Sequence, residues 1–308
     1  MAGKYKKSII PYFLIIFVTM FLSCKTVSMP DTADVLRDDA TYAPLDTGAD
    51  VYLFAHAKEA RSIIEILPVR ELKDKQAKMM LDRTNFITAA VFPEKSGKRF
   101  QLAAWGRYPA SNAATALNSN KGWEKIKAQT GYEYWYAKSN SLSLALNNRQ
   151  AFIISTLNRK PAEPAASAPG MEIPEGFNEF RKRAPFSCWV DNPAPVLLKI
   201  LSEAGFPGRF PVQKLFFNLY PEKDKFEAII KLQFENITQA RAFAAVLGLA
   251  GAFVSREPEP ASSKKTGMMI VSILLANAPI QNGAAIDLKT AALTADELAV
   301  LLNYLLDI

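Results

Sequence analysis

An α+β fold built as two tandem repeats is what this sequence predicts, and three observations carry the prediction. Short apolar runs framed by Pro, Gly and Asn alternate with longer helical periodicities along the whole chain after residue 47. The stretch 48–182 can be laid against 183–308 element by element. The tetrapeptide Phe92, Pro93, Glu94, Lys95 returns as Tyr220, Pro221, Glu222, Lys223, each time between two strand-like runs.

Each repeat reads as strand, helix, two hairpin strands, helix, more strands, helix. The strand at 51–55 and its helix to Leu67 correspond to the strand at 186–190 and its helix to Leu201. After the shared turn, 100–108 matches 226–234, and each run leads into an Ala-rich helix, at 110–117 and 238–254. Further strands are expected within 132–146 and 268–286. Closing helices follow Ile173 and Leu293. The Pro-rich segment 160–170 links the repeats, which are expected to share a sheet in a pseudo-two-fold arrangement. Residues 255–266 read as an exposed loop.

Upstream of the repeats, residues 1–23 have the order of a secretory signal. Lys4, Lys6 and Lys7 precede the apolar stretch 9–22, and Ser23 stands directly before Cys24. The stretch is interrupted by Pro11 and is short against the ~20 residues a membrane helix needs. Phe21, Leu22, Ser23 and Cys24 form a relaxed lipobox, so cleavage before Cys24 and acylation of its thiol, with palmitate or a similar chain, are expected. Residues 24–47 are then a lipidated tether. Lys25, rather than Asp, follows the cysteine, which favours the outer membrane, and the periplasmic face is the expected side.

Composition excludes several function classes. The net charge of +7 falls to +4 once the signal, with its three lysines and no acid, is removed. The tightest basic cluster, Arg181, Lys182 and Arg183, is too short to follow a phosphate backbone, so nucleic acid is not an expected partner. With Cys24 acylated, Cys188 is the one remaining thiol and no internal disulfide can form. His56 is the only histidine, and its place after a strand suits a helix cap better than a general base. There is no phosphate-binding glycine motif, and no cofactor, metal site or catalytic residue is expected. The chain reads as no enzyme.

Apolar helices are the recurrent feature. The helix at 294–306 opens with a Thr294 and Glu297 capping box and carries Leu298, Leu301, Leu302 and Leu305 on one face. The helix at 238–254 holds Phe243, Val246, Leu247, Leu249 and Phe253, with no charge after Arg241. Such faces can pack on the sheet, enter a bilayer interface, or wall a cavity for an acyl chain. The aromatic group Trp105, Tyr108, Trp123, Tyr132, Tyr134, Trp135 and Tyr136 belongs to the first repeat alone and serves either the core or a contact surface.

The lipobox at Cys24 and the helices 238–254 and 294–306, set on an α+β body, resemble the treponemal outer-membrane-associated lipoproteins with membrane-inserting amphipathic helices. That resemblance implies membrane sensing, lipid binding in a hydrophobic cavity and altered outer-membrane permeability. The expected function is a non-enzymatic envelope lipoprotein contacting lipid through Phe243, Val246, Leu247, Phe253, Leu298, Leu301, Leu302 and Leu305. A module that binds another envelope protein through the same surface is the alternative.

Overall fold

The computed structural model describes residues 45–66, 81–94, 97–128, 131–137, 142–146, 150–155, 173–182, 184–206, 208, 210–254 and 265–306. The signal, Cys24, most of the tether, the 160–170 linker and the 255–264 part of the expected loop lie outside these residues. Two compact units divide the chain between Ile173 and Pro174.

The first unit contains strands β1 (Val51–His56), β2 (Thr84–Glu94), β3 (Gly97–Gly106), β4 (Trp123–Lys127), β5 (Glu133–Ala137), β6 (Leu142–Leu146) and β7 (Gln150–Ser155). Helices α1 (Arg61–Ile66) and α2 (Ala110–Ser119) accompany them. The strands lie in the order β1-β2-β3-β7-β6-β5-β4, each pair antiparallel. Alternation along each strand sends side chains to opposite faces. One face receives α2, whose Ala113 and Leu117 pack with Ala104, Trp135, Leu142 and Leu144. The other carries the row Tyr52, Ala90, Gln101, set by the registers Tyr52↔Ala90 and Ala90↔Gln101.

The aromatic group of this unit is mostly interior. Tyr134, Trp135 and Tyr136 are consecutive in β5, so they point to both faces, and all three are buried. Burial of their polar ends is compensated where partners are in reach: the Trp135 indole N–H donates to Asn118 Oδ1 (2.9 Å), and Tyr108 and Thr84 hydroxyls share a bond of 3.0 Å.

The second unit holds β8 (Phe186–Val190), β9 (Val212–Glu222), β10 (Lys225–Phe234), β11 (Ile280–Asn282) and β12 (Ala285–Lys289). Its helices are α3 (Phe177–Arg181), α4 (Ala194–Glu203), α5 (Ile237–Val254), α6 (Lys265–Leu274) and α7 (Ala295–Leu306). The strand order is β8-β9-β10-β12-β11, again antiparallel throughout. Leu215, Ile230, Leu232 and Leu288 face α4, α5, α6 and α7 across an apolar core. On the opposite face the short α3 drives Phe177 against Trp189 and Phe216, with ring centroids 5.0 and 5.1 Å apart.

Four expectations need correction. Residues 268–274, read as strand, belong to helix α6. A continuous apolar run has no periodicity to separate the two states, and here packing on α4 selects the helix. That approach is close: a Cβ on Gly267 would stand 2.6 Å from Glu203 Cβ. The helix after Ile173, expected to close the first repeat, is the five-residue α3 and lies in the second unit. Pro221 and Glu222 do not form the hairpin turn but sit within β9, Glu222 pairing with Lys225; the turn is Lys223 and Asp224, with Lys223 at φ +56°. His56 does not stand at the start of a helix but ahead of the turn that leads into α1. It ends β1, its ring 5.1 Å from that of Phe86, while its backbone carbonyl accepts from Ala60 N–H.

Candidate functional site

Among the described residues, no group of three His, Cys, Asp or Glu side chains is placed to hold a metal ion. His56 stands beside the Phe86 ring, and Asp191 pairs with Lys214 (3.1 Å) at the surface. Cys188 is buried in β8, and desolvation pushes its thiol pKa far up, which suppresses the nucleophilic thiolate. Among the described residues, these three side chains stand in separate surroundings. What stands out is apolar helix surface.

Helix α7 forms as its sequence predicts. Thr294 N–H donates to the Glu297 carboxylate (2.8 Å) and Glu297 N–H returns a bond to Thr294 Oγ1 (3.3 Å), closing the capping box. Its leucines turn inward: Leu298, Leu301 and Leu302 are fully buried in this conformation. Tyr304 reaches α4, where its hydroxyl donates to Glu203 and Lys199 Nζ lies 4.9 Å from its ring. The side chain of Leu305 is outside what the structure describes.

Helix α5 is different. Asn236 Oδ1 accepts from Gln239 N–H (3.0 Å) at its start, and 18 residues follow with an interior stripe of Ala240, Phe243, Leu247 and Ala250. Those four are its buried residues, although by length and composition the helix could cross a membrane. Val246 is half-buried. Its outer face presents Ala242, Ala245 and Gly248, then Leu249, 69% exposed, and Phe253, 44% exposed. Phe253 meets Phe206 edge to face at 5.5 Å, so the apolar surface continues onto the segment after α4. On α4 itself Leu198 is exposed as well.

Of the eight residues expected to touch lipid, Phe253 is thus at the surface and Val246 at its margin. Phe243, Leu247, Leu298, Leu301 and Leu302 lie in the core of this conformation. Leu249 and Leu198 were not among the expected contacts. Leu249 was visible in the periodicity as one more apolar position of the helix, but only the direction of the buried stripe shows that it faces outward.

Between the helices and the sheet lies a wholly apolar cavity of about 30 Å³, walled by Leu197, Ile200, Phe243, Leu247, Val271 and Leu301 among others. Sites for drug-sized ligands measure roughly 300–1,000 Å³. In this packing the cavity has no room for an acyl chain.

Fold and surface together define an α+β protein with helix-covered antiparallel strands and an exposed apolar helix face. The family model for the outer membrane-associated lipoprotein TP0453 matches residues 41–167, and the chain is similar to that family over this part of its length. Solved structures of TP0453 share the fold. Crystal form IV superposes with a TM-score of 0.56 at 16% identity, covering 85% of this chain and 95% of that one. Crystal form III gives 0.55 at 16% identity over 84% and 95%, and crystal form I gives 0.56 at 15% identity over 85% and 96%. No curated protein matches the sequence.

Proposed function

We propose that this protein is a non-enzymatic envelope lipoprotein, anchored through an acylated Cys24 at the periplasmic face of the outer membrane, whose body engages lipid through its apolar helices. The observation that carries this reading is the outer face of α5, where Leu249 and Phe253 are exposed beside a run of small residues with no charge after Arg241. Similarity to a family of outer membrane-associated lipoproteins supports the envelope location.

In the packed state the contact is made by Leu249 and Phe253. Phe243, Val246, Leu247, Leu298, Leu301, Leu302 and Leu305 join it only when α5 and α7 lift from the sheet. The two units are read as diverged copies of one pattern, since β1-β2-β3 and β8-β9-β10 follow the same order of pairing and Glu94↔Gly97 and Glu222↔Lys225 end corresponding hairpins.

Flotation of a non-lipidated protein starting after Cys24, with liposomes on a density gradient, tests the reading. The wild type is expected to float and Leu249→Asp with Phe253→Asp to remain at the bottom while folded. If the wild type itself stays at the bottom, the acyl chains do all the membrane work. A protein partner on the same exposed face then becomes the better account.

A further inference from the structure

Ser187 in β8 and Asn218 in β9 stand directly opposite each other in the antiparallel register, on the sheet face covered by α3. Both are almost fully buried. The Asn218 amide is oriented by its donor end: Nδ2 donates to the Phe180 carbonyl of α3 at 2.6 Å, with the Tyr220 hydroxyl 3.4 Å away. That bond fixes Oδ1 on the other side, where it has no hydrogen-bond partner, and Ser187 Oγ has none either. A buried polar atom without a partner costs free energy, so both oxygens call for one.

We propose that a bound water molecule bridges Ser187 Oγ and Asn218 Oδ1 beneath α3, forming an internal hydration site of the second unit. Directly paired residues hold their Cβ atoms about 4.5–5.5 Å apart, which brings both oxygens within reach of a single water on this face. The Ser187 hydroxyl accepts from or donates to the water, and Asn218 Oδ1 accepts from it. Trp189 and Phe216, the next directly paired residues on this face, pack against Phe177 of α3, and the buried Trp189 indole N–H is a further donor on the same face. The first unit shows the same need independently. Thr88 Oγ1, Gln101 Nε2 and Ser143 Oγ are buried without partners on a single face of its sheet, related by the registers Ala90↔Gln101, Gln101↔Ile154 and Ser143↔Ile154.

A crystal structure of the mature protein, at a resolution that shows ordered solvent, is the direct test. Density within hydrogen-bond distance of both Ser187 Oγ and Asn218 Oδ1 is expected. A direct Ser187 to Asn218 bond, or an empty space, overturns the proposal. In solution, Ser187→Ala and Asn218→Leu are expected each to lower the folding constant roughly tenfold, and the double variant to lose no more than the worse single one. Strictly additive losses would count against a shared water.

Discussion

The Tyr304 hydroxyl of α7 donates to the Glu203 carboxylate at the end of α4, joining two helices 101 residues apart in sequence. The bond sits where the apolar packing of α7 gives way to solvent. It gives this helix a polar tie beside the leucines that hold it to the sheet.

Burial first, and then the bond to Glu203, push the Tyr304 pKa up to about 12. The folded protein therefore keeps the phenolic proton at a pH where the unfolded chain, with a tyrosine pKa near 10, has lost it. The stabilisation is complete below about pH 10 and declines as pH rises toward 12. Tyr304→Phe should lower stability by about 1 kcal/mol at neutral pH and flatten this alkaline decline, as followed by urea unfolding across the range.

Leu301 and Leu249 lie on apolar helices of similar composition but opposite fates. Leu301 is fully buried against the cavity, so Leu301→Ala should cost about 2–5 kcal/mol. Leu249→Asp should leave stability within about 0.5 kcal/mol, because its side chain is 69% exposed. Thermal melts of the two variants distinguish core from surface. Loss of liposome flotation in Leu249→Asp alone, with an unchanged melt, would separate contact from folding.

Gly267 is required by distance rather than by backbone angle. A methyl group there would stand 2.6 Å from Glu203 Cβ and 2.9 Å from Ala204 N, the latter a backbone atom that cannot turn aside. Gly267→Ala should force α6 away from α4 and destabilise the second unit by about 1–3 kcal/mol, measured by denaturant unfolding. An unchanged or raised midpoint would show that α6 does not pack this closely.

Much of the local structure was legible in the sequence because it depends on neighbours along the chain. The two long hairpins, the helices at 110–119, 194–203, 237–254 and 295–306, and the capping box at Thr294 follow from alternation, helical spacing and cap chemistry. The strand read into 268–274 failed for the complementary reason. That run is apolar at nearly every position, and its state was set by Gly267 admitting the backbone of α4.

The sequence by itself determined that this chain alternates short strands with longer helices in an α+β body and that it carries a single histidine. Which apolar faces are core and which meet solvent was decided only by tertiary structure. Hydrophobic burial is non-directional, and its strength depends on area removed from water, so leucines in α7 and in α5 look alike until the sheet is in place. The sheet covers Leu298, Leu301 and Leu302 and leaves Leu249 and Phe253 outside.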